Sequence, residues 1–147
     1  MVNNKALKEA VAQFILQLGY IPLDLQIRQI KEDWKVYSAI FHPEAITLKD
    51  CTEVTRALRD YLVGWLGNED FSLDISSPGA ERVLKSQLEY TLFRGKKVKV
   101  VLKSGAEGLY LLESFDETEG IVNFFSEEKQ EAVRVSFQDI AKCQLVL

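Results

Sequence analysis

Apolar residues recur at helical spacing from Asn3 to Leu18. Leu7, Val11, Phe14 and Leu18 fall on one stripe, flanked by Ala10 and Ile15. That spacing predicts an amphipathic helix, and Gly19 supplies a natural C-terminal stop. The period then changes. In YIPLDLQIRQI, residues 20–30, apolar side chains alternate at Ile21, Leu23, Leu25 and Ile27, and WKVYSAIF, residues 34–41, is rich in β-branched and aromatic residues. Two strands are predicted, joined by a hairpin through Lys31, Glu32 and Asp33. Helical spacing returns at Thr47 with the strongest stripe in the chain: Leu48, Cys51, Val54, Leu58, Leu62 and Trp65. Lys49, Glu53, Arg56, Arg59 and Asp60 lie off it, and TLKD is a capping-box variant with Asp50 in the usual place of glutamate. FSLDIS, residues 71–76, puts Phe71, Leu73 and Ile75 on one face of a half-buried strand. The first half therefore reads α-β-β-α-β, a two-layer α+β unit.

The second half has a different rhythm. After a short helical turn in SQLEYTLF come the strand-like runs KKVKVVL, GLYLLESF, GIVNFF, AVRVSF and KCQLVL, with FQDI as a one-turn helix before the last. Turn signals at Lys103-Ser104-Gly105 and Asp116–Gly120 separate the earlier runs. Short strands at this spacing predict a small β-barrel of the SH3-like or Sm-like class. Two domains are expected, 1–77 and 78–147.

Between them lies DISSPGAERVLK, residues 74–85. Pro78 fixes its own φ and pushes Ser77 into an extended conformation. Gly79 can take positive φ, and Pro-Gly suits the centre of a type II turn. The hydroxyls of Ser76 and Ser77 are expected to bond nearby amides and stiffen the joint. A flexible linker would be longer and rich in glycine and serine. Ser76, Ser77, Pro78 and Gly79 are accordingly read as an orienting joint that presents Arg82 and Lys85 directly after it.

A chain of 147 residues, 47% hydrophobic and 27% charged, has the profile of a folded protein. The N-terminal stripe is interrupted by Glu9, Gln13 and Gln17, unlike a secretory signal, and no apolar run approaches the ~18 residues of a membrane span. A cytoplasmic protein is expected. Cys51 and Cys143 read as separate buried thiols acting as small hydrophobes. His42 is the only histidine, so a zinc or Cys/His catalytic site has little support.

Charge is distributed unevenly. Residues 1–80 carry 8 Lys/Arg against 11 Asp/Glu, residues 81–103 carry 7 against 2, and residues 104–147 carry 3 against 9. A net charge of −4 thus hides a belt of Arg82, Lys85, Arg94, Lys96, Lys97, Lys99 and Lys103 in an acidic chain. Such a belt suits phosphate, while the acidic remainder suits a basic partner. A solvated strand edge blunted by lysines is the alternative reading.

Other motifs carry less. Gly64-Trp65-Leu66-Gly67 has the G-x-x-G of a nucleic-acid clamp, but reads as a helix end with a packed tryptophan. Ser76 and Ser77 lack a neighbouring base or a nucleophile elbow. Phe124 and Phe125 read as one core ring and one exposed ring. No acid/base pair, phosphate loop or metal cluster is present, so no enzyme is expected.

Taken in order, these segments resemble the bacterial ribosome maturation factor RimP family. Its Ser-Ser-Pro-Gly-x-x-Arg-x-Leu signature is met by Ser76, Ser77, Pro78, Gly79, Arg82 and Leu84. The Phe-x-Gly-Lys-x-Val-x-Val stretch is met by Phe93, Gly95, Lys96, Val98 and Val100. The capped helix is similar through Thr47, Leu48, Asp50, Cys51, Val54, Arg56 and Leu58, and VSFQDIAKCQLVL resembles the family's ending. The chain departs from the pattern in two loops, and its connection from the capped helix to FSLDIS is short. Lys31-Glu32-Asp33 and His42-Pro43-Glu44-Ala45 stand where glycine-containing turns are usual.

The resemblance implies a non-enzymatic factor in late assembly of the small ribosomal subunit. It implies binding to the immature particle, association with ribosomal protein twelve of that subunit near the decoding region, and no nucleotide or metal cofactor. Contact of the belt with ribosomal RNA phosphates follows from charge. An SH3-like peptide-binding module acting outside the ribosome is the competing expectation.

Overall fold

Asn3 begins the first helix. Its side-chain oxygen accepts hydrogen bonds from the amides of Lys5 and Ala6 at 2.8 and 3.3 Å, two of the donors that a helix start leaves unpaired. In the computed structural model, which describes residues 3–146, helix α1 runs Asn4–Gln17 and buries Leu7, Val11 and Ile15. Phe14 stacks on Tyr61 with ring centroids 4.3 Å apart. Leu18, expected on the stripe, is the C-cap and stays exposed, while Ile15, expected beside it, is fully buried. Leu147, assigned by sequence to the last strand, lies outside the described residues, as do Met1 and Val2.

Strands β1 (Ile21–Ile30) and β2 (Asp33–Phe41) form the expected hairpin, with Ile30 opposite Asp33 and a two-residue turn at Lys31 and Glu32. Lys31 is held at φ +60°, a left-handed conformation that costs a residue with a Cβ roughly 1–2 kcal/mol. Lys31→Gly is therefore expected to raise stability by about 0.5–1 kcal/mol, after the extra chain entropy of glycine is set against the relieved strain. A higher urea midpoint at unchanged slope is the expected readout. An unchanged midpoint would mean that the lysine sits there without strain.

The alternation in β1 does not keep to one face. The register slips between Leu23, which faces Ala39, and Gln26, which faces Tyr37. Asp24 and Leu25 thus oppose a single residue, Ser38, and Asp24 takes φ +56° to make this β-bulge. Leu25 and Ile27 join the helix-side core with Val36 and Ile40, whereas Leu23 pairs with Ala39 on the opposite side of the sheet. Ser38 lies fully buried beside the bulge and donates to the carbonyls of Leu23 and Ala39.

Helix α2 (Leu48–Leu66) starts at the expected capping box. Thr47 Oγ1 accepts from the Asp50 amide, and Asp50 Oδ2 accepts from the Thr47 amide at 2.7 Å. The Tyr20 hydroxyl donates to Asp50 Oδ1 at 2.7 Å, tying the chain after α1 to this helix start; that bond pushes the tyrosine's pKa up to about 12. Cys51, Val54, Leu58 and Leu62 are buried along the stripe. Its two ends are not: Leu48 is 83% exposed and Trp65 is 37% exposed, so the tryptophan is not packed as the sequence suggests. Gly67, at φ +76°, ends the helix.

The strand that follows, β3 (Phe71–Ser76), pairs in parallel with β2, giving the order β1-β2-β3. Parallel neighbours need a crossover, and α2 is that crossover. Both helices share one core with the sheet: Leu7, Val11 and Ile15 from α1, and Val54, Leu58 and Leu62 from α2, meet Ile27, Trp34, Val36 and Phe71.

The chain is mixed α+β, and its internal contacts divide it into two compact units, Met1–Pro78 and Gly79–Leu147. In the second unit a short helix α3 (Gln87–Leu92) precedes β4 (Lys97–Leu102), β5 (Glu107–Asp116), β6 (Ile121–Ser126) and β7 (Glu131–Ser136). A single 3-10 turn, Phe137–Asp139, leads into β8 (Ile140–Leu145). The strands pair antiparallel in the order β7-β6-β5-β4-β8. No ladder joins β7 to β8 among the described residues, so the pairings give a five-stranded sheet and not a closed barrel. Val98, Val100, Leu112, Val122, Phe124 and Cys143 are buried at 2% exposure or less, and Phe125 is half-buried. Cys51 and Cys143 are both buried, with free thiols.

Candidate nucleic-acid interface

The basic belt begins in a place the sequence does not suggest. Arg82 does not project. Its side chain is 8% exposed, and its Nε donates to Glu89 Oε1 at 2.6 Å. Glu89 is itself 4% exposed. Its other oxygen, Oε2, accepts from the Lys85 amide at 3.0 Å, from the Ser86 amide at 2.9 Å and from Ser86 Oγ at 3.0 Å. Ser86 in turn caps α3 by accepting from the Glu89 amide. Burial pushes this carboxyl's pKa up, but the amides of Ser86 and Lys85 and the Arg82 guanidinium outweigh it, leaving a carboxylate that ionises more readily than usual. Arg82 is thus a packing partner inside the second unit, a correction to its reading as a presented phosphate contact.

Residues next to this pair extend the sheet. Val83 bridges Gln144, the Leu84 amide donates to the Cys143 carbonyl at 2.8 Å, and the Leu145 amide donates to the Arg82 carbonyl at 2.8 Å. The chain entering the second unit therefore lies along β8.

The joint before it differs in part from expectation. Gly79 does take φ +86°, where a Cβ would meet nothing within 4 Å, so only backbone conformation demands glycine there. The turn falls two residues later, at Ala80 and Glu81, and not at Pro78-Gly79. Ser76 ends β3, and its hydroxyl lies 3.3 Å from the Tyr37 hydroxyl, bonded to a side chain of its own sheet instead of to a turn amide.

The lysines of β4 behave as alternation requires. Val98 and Val100 are 0% and 2% exposed, and Lys97 and Lys99 point the other way into solvent. Arg94 and Lys96 are exposed in the turn after α3, which is pinned by hydrogen bonds from Gly95 N to Leu112 O and from Leu112 N to Lys96 O. Lys97 Nζ lies 3.8 Å from Glu127 Oε1, with both side chains more than half exposed, a pairing that adds little.

Register adds one cation that the belt as read from sequence leaves out. Lys142 on β8 is opposite Val101, and Gln144 is opposite Lys99. Since Lys97, Lys99 and Val101 share a face, Lys142 stands on that face too. Alternation in IAKCQL, with Cys143 and Leu145 buried, already places Lys142 and Gln144 outward. On the other side of β4, Lys99 is opposite Leu109, which is 67% exposed. The outward face of β4 and its neighbours is thus a lysine track with apolar residues between the charges, the mixture that meets phosphate and base together.

No group of three or more potential metal ligands clusters among the described residues, and no helix there is long and apolar enough to cross a membrane. Residues 10–81 match the family model described as the RimP N-terminal domain, which spans most of the first unit and reaches the joint. Over residues 10–81 the chain therefore carries the N-terminal domain of the RimP family.

Proposed function

We propose that this chain assists late assembly of the small ribosomal subunit by binding the immature particle, as a factor that needs neither nucleotide nor metal. The match over residues 10–81 carries the reading. The track of Lys97, Lys99 and Lys142 supports it, because a strand face with three outward ammonium groups in an otherwise acidic chain suits ribosomal RNA phosphates. The acidic remainder suits a basic ribosomal protein such as protein twelve of the small subunit, and the cytoplasm is where such a partner is met. The second unit is read as an SH3-like barrel. Its strand order, the register slip in β5 between Leu112 and Ser114, and the 3-10 turn before β8 all fit that class. A tagged copy sedimented through a sucrose gradient is expected in the small-subunit fractions, most strongly where assembly is stalled. Its absence from those fractions in stalled cells would end this reading.

Ser76 to Gly79 act as the orienting joint of this factor. Gly79→Val is expected to cost about 1–2 kcal/mol or more at φ +86° and to change the solution scattering profile. Unchanged scattering together with an unchanged melting temperature would remove any special role for the joint.

A further inference from the structure

A groove of about 500 Å³ opens beside β8 in the second unit. That is within the roughly 300–1,000 Å³ of sites that enclose small organic ligands. Its floor is apolar: Val83, Phe137 and Ile140 are half-buried, and Leu84, Tyr90 and Cys143 lie buried beneath them. Three lysines, Lys85, Lys103 and Lys142, stand on its wall, all exposed, and none forms an ion pair among the described residues. The one acid of the adjoining 3-10 turn, Asp139, is not part of the lining. Phe137 is held edge-on to Tyr90 at 5.5 Å and to Phe115 at 6.0 Å, so its partly exposed ring is a fixed surface.

We infer that this groove is a subsite for one unpaired nucleotide of single-stranded RNA, its base on the apolar floor and its flanking phosphates against Lys85, Lys103 and Lys142. The inference deepens the proposed ribosomal function and rests on it. Two observations favour RNA over an acidic peptide. The cations do not stop at the groove: Lys142 shares its sheet face with Lys99 and Lys97, which stand about 6.6–6.8 Å apart along the strand. That continuation suits a polyanion whose charge runs along its backbone and leaves a flat base free for the groove. Apart from the lysines, Gln138 and the Tyr90 hydroxyl, the lining is also apolar at its side chains. It reads a flat apolar face and not a base edge, which predicts tolerance of base identity and rejection of duplex, whose bases are stacked away.

The test uses the full chain and a fluorescein-labelled ten-nucleotide RNA, as oligouridylate, as oligoadenylate, and as a mixed-sequence duplex, with polyglutamate as the peptide arm. Both single strands should bind in a salt-dependent manner and the duplex at least roughly tenfold more weakly. Lys103→Glu with Lys142→Glu should lower the slope of log affinity against log salt by about 0.7 for each lysine. Ala141→Trp, at an exposed position on the wall, should fill the groove and weaken binding while leaving the melting temperature in place. A 4-thiouridine crosslink should map to Phe137–Cys143. Equal binding of duplex, indifference to Ala141→Trp, or tighter binding of polyglutamate than of RNA would each overturn the subsite. Two failures stay separable. If the groove variants co-sediment with small-subunit particles like the parent and bind oligonucleotides equally well, the subsite is wrong and the ribosomal reading stands. If the parent binds single strands but never meets the particle, the reverse holds.

Discussion

Glu89→Ala is expected to lower the stability of the Gly79–Leu147 unit by about 3 kcal/mol, the low end of what removing one partner of a buried ion pair costs. The side chain that is lost accepts four hydrogen bonds, from Arg82 Nε, Lys85 N, Ser86 N and Ser86 Oγ. Two of these donors are backbone amides at the start of α3, where the helix itself offers no acceptor. Glu89→Gln keeps one accepting oxygen and is expected to lose roughly half as much. The loss also has a pH signature. Glu89 titrates lower in the folded chain than in the unfolded one, so its contribution is complete above the ordinary glutamate pKa. It fades as pH falls through the lower folded value. The parent should therefore lose stability in mild acid along a slope that Glu89→Gln lacks. Urea midpoints of both proteins across that range test the point, and parallel curves would show that the buried pair contributes nothing ionic.

Charge reversal at Lys97 and Lys99 has the largest effect expected on binding. Both side chains leave the outward face of β4, and the valines between and beside them form the core, so Lys97→Glu with Lys99→Glu should leave the fold intact. Among the described residues the only ion pair lost is the exposed contact of Lys97 with Glu127. If each lysine meets a phosphate, their removal flattens the salt dependence by about 1.4–1.8 in the logarithmic slope, and affinity for small-subunit particles at low salt drops roughly 10- to 100-fold. A double variant that binds like the parent at every salt concentration would leave the track a solvated surface and put recognition on the acidic regions.

Much of the fold is legible in the sequence because it is written locally. The caps at Asn3, Thr47 and Ser86 need only a residue and its next few neighbours, and alternation in KKVKV places Val98 and Val100 inward without further information. What escapes is written over distance. Asp24 gives no local hint that it will take a left-handed conformation and move Leu25 and Ile27 to the other face of β1. Leu48 and Trp65 are exposed although they share the stripe with Cys51, Val54, Leu58 and Leu62, because periodicity does not encode how far along a helix its packing partners reach. The site shows the same division. Lys97 and Lys99 stand where alternation puts them. Arg82 does not, because a partner seven residues on turns it inward. The Ser-x-x-Glu spacing of residues 86–89 announces a capping box, but not that the same carboxylate will also hold an arginine from the preceding turn. Lys142 joins the track only through pairing between β4 and β8, although its own alternation points it outward.

The two cysteines give the molecule a pair of built-in reporters. The chain has only Cys51 and Cys143, one in each unit, and both thiols are buried. Burial raises both pKa values, that of Cys143 to about 11, so almost none of either is thiolate at neutral pH. Alkylating reagents and oxidants should therefore act on the native chain only when a unit opens. The rate at which each cysteine is modified then measures the opening of its own unit, without an introduced probe. One mass spectrum over time would resolve two local stabilities, and would show whether a damaged second unit unfolds alone or takes the first with it.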